Sequence, residues 1–369
     1  MRIKSVTPMQ ISLPLLKPIK MAKTTVATAD NLLVRIEDTD GTVGWGEAAS
    51  APTMTGETTQ GMVAAVDFMR PLLEGMEVED VGAFGKQVDT LMYGNAAAKS
   101  ALDMAVYDLV GKRENKSVAE LLGGVVRRDI PVLWMLAAAD RVLDVESAKR
   151  MSGDGFIAFK VKIGGSTPEA DLERAAAVRA ALGRGPRISA DANQGYSREK
   201  ALTFAKGAMG AGIDFMEQPV HWKDVEGMAL VSAATQVPVG TDEGIHSLED
   251  IERHHQMLAA RGGSLKTIKL GGLSGVMAAG RRMDELGMYI NLAGKVADSS
   301  VASAAIVHLV AALPQVDWDV SVTCQYLARD ITRETVQVVN GHAKLPEAPG
   351  LGIEVDESRL PSSSSRLAA

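Results

Sequence analysis

From about residue 130 onward, short apolar runs alternate with amphipathic stretches, and this rhythm restricts the chain more than any other feature. The runs are IPVLWMLAAA, FIAFKVKIG, PRISADANQ, GIDFMEQP, VPVGTDE, SLKTIKLGG, MYINLAG and DWDVSVT, with helical segments such as PEADLERAAAVRAALG and SLEDIERHHQMLAARGG between them. Eight short apolar strands separated by helices predict an α/β fold, a parallel β/α barrel of the TIM type. A doubly wound open sheet is the alternative, but GGLSG at 271–275 is a poor match to a Gly-rich dinucleotide turn.

Before residue 129 the rhythm is different. RIKSVTPMQISLP, NLLVRIED and VGWGEAA read as strands, the last two joined by a hairpin at Thr39-Asp40-Gly41-Thr42. Helical periods follow in TTQGMVAAVDFMRPLLEGM and AAAKSALDMAVYDLVGKRENKSVAELLGG. The expected layout is an N-terminal α+β unit over 1–128, the barrel over 129–335, and a segment over 336–369 that returns to the first unit. Its end, PSSSSRLAA, has nothing to bury and is expected to fray.

Composition removes several function classes. A net charge of −7 gives no basic footprint for nucleic acid or an anionic membrane surface. Aromatic residues at 4% are too few for a base-stacking surface. No apolar run approaches the ~20 residues of a membrane span. A single cysteine, Cys324, excludes an intrachain disulfide and a cysteine metal cluster, which suits a reducing cytoplasm.

The barrel runs end in polar residues of one kind. RISAD ends in Asp191, IDFME in Glu217 and VPVGTD in Asp242, and the next run carries Lys266, at intervals of 26, 25 and 24 residues. One βα unit per interval puts the three carboxylates at one height on adjacent strands, on the face where barrels build active sites. Converging carboxylates repel unless a cation neutralises them. With no Cys and no well-placed His, the all-oxygen set favours Mg²⁺ or Mn²⁺ over Zn²⁺. The alternative is that these acids cap the following helices.

FKVKIG adds two cations. Lys160 and Lys162, two apart on a strand, point to the same side. Facing inward, they would lie beside the carboxylates, where a dication and partial desolvation depress a lysine toward neutrality and fit it as a general base. Lys266 would approach a bound substrate from the opposite wall. These parts suit removal of a proton from the carbon next to a carboxylate, with a dication stabilising the enolate.

The Lys-x-Lys of FKVKIG, the Asp-x-Asn of ISADANQG, the Glu-Gln-Pro of FMEQP, the Asp-Glu of VGTDEG, the lysine of SLKTIKLGG and the closing PGLGIEVD together resemble the enolase superfamily, specifically its muconate lactonizing enzyme subgroup, over essentially the whole chain. The resemblance implies a capping domain over a modified barrel, Mg²⁺ on Asp191, Glu217 and Asp242, and Lys162 and Lys266 as acid/base residues. It implies Lys160 beside the substrate carboxylate, Asn193 and Glu243 as neighbours of the metal shell, and a homo-oligomer, with an octamer as one form. Mandelate racemase is less similar, because it uses a histidine where this chain reads NLAGKVADSS.

That same region departs from the subgroup. Similar proteins often carry a glutamate where Ala297 stands here, followed by Asp298. Lys295 either binds a second anionic group of the substrate or is a solvated loop lysine, and Asp298 is grouped with it as a substrate-binding candidate. No paired aspartates stand where dipeptide epimerases bind the substrate ammonium, although Asp317 and Asp319 lie just upstream. Specificity is expected from loops 16–25 and 49–58. None of the six histidines has supported ligand spacing. The leading expectation is a cycloisomerase or a racemase/epimerase acting on a small carboxylate. The alternatives are a dehydratase of acid sugars or hydroxy acids and a non-catalytic barrel that binds small acids.

Overall fold

Three antiparallel strands open the chain, β1 (Ile3–Lys20), β2 (Thr25–Asp38) and β3 (Val43–Ala49), in the order β1-β2-β3. The computed structural model describes residues 1–20 and 25–361; residues 21–24 of the first expected specificity loop (16–25) and nearly all of PSSSSRLAA lie outside the described residues. The Asp-Gly hairpin closes β2 onto β3. Gly41 takes a left-handed φ of +86°, and Asp38 Oδ1 accepts from the amides of Asp40 and Thr42 at 3.0 and 2.9 Å. Alternation in β2 divides the core: Leu32, Val34 and Ile36 face the helices of this domain, while Leu33 joins the larger cluster of the barrel. The helices are α1 (Thr59–Leu73), α2 (Val81–Leu91), α3 (Ala96–Glu114) and the short α4 (Val118–Leu121), which Ser117 and Glu120 close as a capping box.

After the short β4 (Asp129–Pro131), strands and helices alternate. The first half is β5 (Leu133–Leu136), α5 (Arg141–Gly153), β6 (Ala158–Lys162), α6 (Pro168–Leu182), β7 (Arg187–Asp191), α7 (Arg198–Ala208), β8 (Phe215–Glu217) and α8 (Val225–Ala233). The second half is β9 (Val239–Thr241), α9 (Leu248–Gln256), β10 (Gly262–Leu265), α10 (Thr267–Leu270), α11 (Leu273–Glu285), β11 (Tyr289–Ala293), α12 (Ser300–Ala312) and β12 (Val320–Ser321). The eight strands β5 to β12 pair in sequence order in one parallel sheet, and β12 comes back beside β5 to form the barrel. Side-chain caps at Asp140, Thr167, Ser197, Asp224, Ser247 and Ser299 start α5 to α9 and α12 at the strand-to-helix turns. No helix among the described residues is long and apolar enough to cross a membrane.

Trp318 fills the floor of the barrel. It stacks on Phe215 with 4.4 Å between ring centroids and lies 5.2 Å from Tyr289, both at the first position of their strands. Gly240 and Gly262 make room for it, since a Cβ at either would stand 2.6 Å from the indole. A plug at the N-terminal ends leaves the C-terminal ends of the strands as the open face.

Two details differ from the sequence expectation. SLKTIKLGG does not continue as a strand: β10 stops at Leu265, Lys266 is the residue that turns the chain, and α10 ends at Gly271 with φ +75°. The C-terminal segment touches more than the capping domain. Its strands β13 (Val338–Val339) and β14 (His342–Lys344) form a small sheet with β4, and further on Gly350 O accepts from Val118 N while Leu351 N donates to Asp108 Oδ1.

Candidate active site

Parallel register sets the height of the polar residues. Lys162 on β6 is opposite Asp191 on β7, and Asp191 is opposite Glu217 on β8. Glu217 is opposite Gly240 on β9, so Asp242 lies two residues beyond, just past the strand end. Asp191, Glu217 and Asp242 are all buried, and each is engaged by a lysine. Lys162 Nζ donates to Asp191 Oδ2 at 2.6 Å and to Asn193 Oδ1 at 2.9 Å; Lys160 Nζ donates to Glu217 Oε2, and Lys266 Nζ to Asp242 Oδ2. β6 and β10 are four strands apart in a ring of eight, so Lys162 and Lys266 stand on opposite walls.

The pairing sets the charge states. Burial opposes the charge on Lys160 and Lys266, but the carboxylates, led by Glu217 for Lys160 and by Asp242 for Lys266, outweigh it and hold both ammonium groups above the usual lysine value. Burial likewise penalises Asp191 and Asp242, yet Lys162 and Lys160 for the first and Lys266 and Lys269 for the second keep these carboxyls below their ordinary range.

Among the described residues no three acidic, His or Cys side chains already converge as a ligand set, because each carboxylate is turned to its lysine. The donor chemistry nevertheless fits a hard divalent cation. Asp191 and Glu217 pair at one level with Asp242 two residues further on, and Glu243 beside them carries a buried Oε2 with no hydrogen-bond partner. Its other oxygen accepts from Asn193 Nδ2 at 3.3 Å. Burial and then the charges of Asp242 and Asp191 push Glu243 up to about 7, the condition of an acid that a nearby cation would relieve.

A cavity of about 350 Å³ opens over these groups, at the small end for ligand sites. Thr53 and Met54 of the expected 49–58 loop line it, with Leu133, Met135, His221, Trp222, Ser321 and Lys295. Described residues of the other loop, Leu16 to Ile19, line a neighbouring recess beside Trp134 instead. Lys295 is half-buried and lines this cavity. Its amine has no hydrogen bond or ion pair among the described residues, and burial with the charges of Lys266 and Lys162 pushes it down to about 8. Asp298 departs from its expected place: it is buried and off the cavity wall, and its Oδ2 accepts from Lys295 N at 2.9 Å. It shapes the loop that presents Lys295. Among the histidines, His308 is a core residue that accepts from Ala119 N and bonds Leu351 O, whereas His221 flanks Trp222 at the cavity.

Several supporting residues escape a reading by strand period. Gln218 Oε1 accepts from Thr241 Oγ1, Asp242 N and Gly244 N, which gives the glutamine of FMEQP the task of holding the next loop. Lys269 reaches Asp242 from behind, because α10 brings it three residues on from Lys266 to the same side. The capping domain contributes two buried acids. Glu47 accepts from Ser299 N and Ala302 N at the start of α12, and Asp103 accepts from Leu273 N and Ser274 N at the start of α11. They fix the helices behind Lys295 and Lys266, and nothing local in the sequence announces contacts that span 252 and 170 residues.

Comparison with known proteins agrees with this geometry. Residues 4–123 match the mandelate racemase / muconate lactonizing enzyme N-terminal domain, and residues 144–359 match the enolase C-terminal domain-like family. The chain is 31% identical to an L-Ala-D/L-Glu epimerase of Clostridium acetobutylicum, covering 96% of this chain and 99% of that protein. It superimposes on muconate lactonizing enzyme from Pseudomonas fluorescens complexed with muconolactone with a TM-score of 0.93, at 29% identity, over 97% of this chain and 98% of that one. The dipeptide epimerase from Cytophaga hutchinsonii, complexed with Mg and the dipeptide D-Ala-L-Val, gives 0.92 at 25% identity over 98% of each.

Proposed function

Because the chain belongs to the mandelate racemase / muconate lactonizing enzyme family of the enolase superfamily, we propose that it removes the proton α to a substrate carboxylate and returns a proton to the resulting enolate, as a racemase/epimerase or a cycloisomerase. The observation that carries this reading is the pair Lys162 and Lys266 on opposite walls of one small cavity. A proton taken on one face by one amine and returned on the other face by the second inverts the α-carbon. If the enolate instead expels a ring oxygen from the neighbouring carbon, a lactone opens to the unsaturated diacid, the reverse of cycloisomerisation.

Asp191, Glu217 and Asp242 would hold Mg²⁺, or Mn²⁺ with the same donor preference. Such an ion supplies charge neutralisation for the enolate oxygens. Lys160 holds Glu217 and lies where it supports the substrate carboxylate, and Asn193 steadies Lys162 and Glu243. Lys295 offers its free amine to a second anionic or acceptor group. Beyond the three proposed metal ligands, Glu243 is the one carboxyl on the cavity wall among the described residues, against the cations Lys160, Lys162, Lys266 and Lys295. The wall therefore favours dicarboxylates and N-acylated amino acids over substrates with a free ammonium.

The test is exchange of the substrate α-proton in deuterated water with Mg²⁺ present, screened over muconates, N-acylamino acids, dipeptides and hydroxy acids. Lys162→Ala and Lys266→Ala are each expected to abolish exchange while calorimetric Mg²⁺ binding survives. Exchange that persists in both variants would defeat the two-lysine reading.

A further inference from the structure

Asp242 differs from Asp191 and Glu217 in being held by two lysines, where each of the others has one. Its amide donates to Gln218 Oε1 at 2.8 Å, and its carbonyl accepts from Lys269 Nζ. In the side chain the two oxygens have different partners: Oδ1 accepts from Lys269 at 2.8 Å, whereas Oδ2 accepts from Lys266. The two lysines are not equivalent. Lys266 lines the substrate cavity, but Lys269 does not; its side chain is fully buried, and its third bond goes to Ser264 O at 2.8 Å. All three donors of its ammonium are thus used on the protein.

We propose that Lys269 and Gln218 are positioning residues that fix the Asp242 loop and reserve Oδ2 as the single donor atom this carboxylate offers to a divalent cation. An ion arriving from the cavity meets the oxygen held by Lys266. The oxygen on the wall side stays with Lys269, so the carboxylate cannot turn to bind through both oxygens. Gln218 completes the clamp, because Thr241 Oγ1 and Gly244 N share its Oε1 with Asp242 N and its Nε2 donates to Val220 O. The two residues lie on either side of Asp242 in the chain, one from the unit before and one from the unit after. This inference rests on the assignment of Asp242 as a metal ligand.

Charge and position give opposite signs for Lys269→Met. If Lys269 acted only as a nearby cation, its removal would relieve repulsion and tighten Mg²⁺ binding. If it orients the carboxylate, binding weakens, by the 10- to 100-fold typical of groups that hold a metal ligand. Calorimetry of Mg²⁺ into the folded variant, below its unfolding transition, is expected to show that weakening. The EPR spectrum of bound Mn²⁺ is expected to change with it, which loss of stability alone would not produce. Gln218→Met is expected to act in the same direction. Unchanged or tighter binding in Lys269→Met overturns the inference.

Should neither variant fold, the structure of the Mg²⁺-loaded wild-type protein decides. Asp242 ligating through the oxygen away from Lys269 supports the proposal; ligation through the Lys269-bound oxygen, or through both, refutes it. Failure of the underlying reading looks different: wild-type protein would take up no Mg²⁺, or Asp242→Asn would bind it as well as wild type.

Discussion

Replacing Lys295 by Met should stabilise the protein at neutral pH while impairing its use of substrate. Burial and the charges of Lys266 and Lys162 push the Lys295 amine from 10.5 to about 8, and Asp298 and Asp242 offset this only in part. Between those pH values the unfolded chain holds a proton that the folded protein has released, so stability climbs as pH rises from about 8 to 10.5. Below pH 8 the folded protein carries the whole cost. At about 1.4 kcal/mol per pH unit, that cost is on the order of 3 kcal/mol, an upper figure for one side chain in a charged cavity. Methionine keeps the length of the chain and removes the charge. Urea unfolding in the presence of a chelator should show Lys295→Met more stable than wild type by about 2 to 3 kcal/mol at pH 7, with the gap closing toward pH 10. The same variant should raise KM for a dicarboxylate or N-acylated substrate far more than for a simple monocarboxylate, a trade of stability for function at a binding site. A variant that is less stable than wild type at pH 7, or a gap that does not change with pH, would refute the reasoning.

Trp318→Ala should cost about 3 to 5 kcal/mol in urea unfolding, because Gly240 and Gly262 have no side chains with which to fill the floor it leaves; a loss below 1 kcal/mol would mean the floor can collapse. Asp103, pushed up to about 7 by burial, stays protonated in the folded protein where the unfolded chain is ionised, so it makes stability fall as pH rises from about 4 to 7. Asp103→Asn should flatten that part of the pH profile, which chemical denaturation at several pH values will show. Glu217→Gln should weaken calorimetric Mg²⁺ binding at least tenfold, and unaltered binding would remove Glu217 from the proposed ligands.

What the sequence disclosed and what it withheld divide along contact range. The barrel was legible because each βα unit repeats its pattern within about 25 residues, and Asp191, Glu217 and Asp242 were legible because parallel register carries that repeat into space. Lys269 was hidden by one short helical turn, since a strand period run through SLKTIKL gives it the wrong side. The pairing of each carboxylate with a lysine was hidden for another reason: spacing gives height on a strand but not the direction in which a side chain turns. Lys295 and Asp298 show the limit most plainly. They are three residues apart in one loop, and both are polar candidates by type. Lys295 lines the cavity, whereas the Asp298 carboxylate turns back to accept from Lys295 N, and Glu47 of the capping domain anchors the next residue, Ser299. The capping domain therefore does more than cover the barrel mouth. By occupying the N-terminal ends of α11 and α12 with its own buried acids, it fixes the elements behind Lys266 and Lys295. Changes at Glu47 or Asp103 should then reach the cavity through helix placement without touching a substrate.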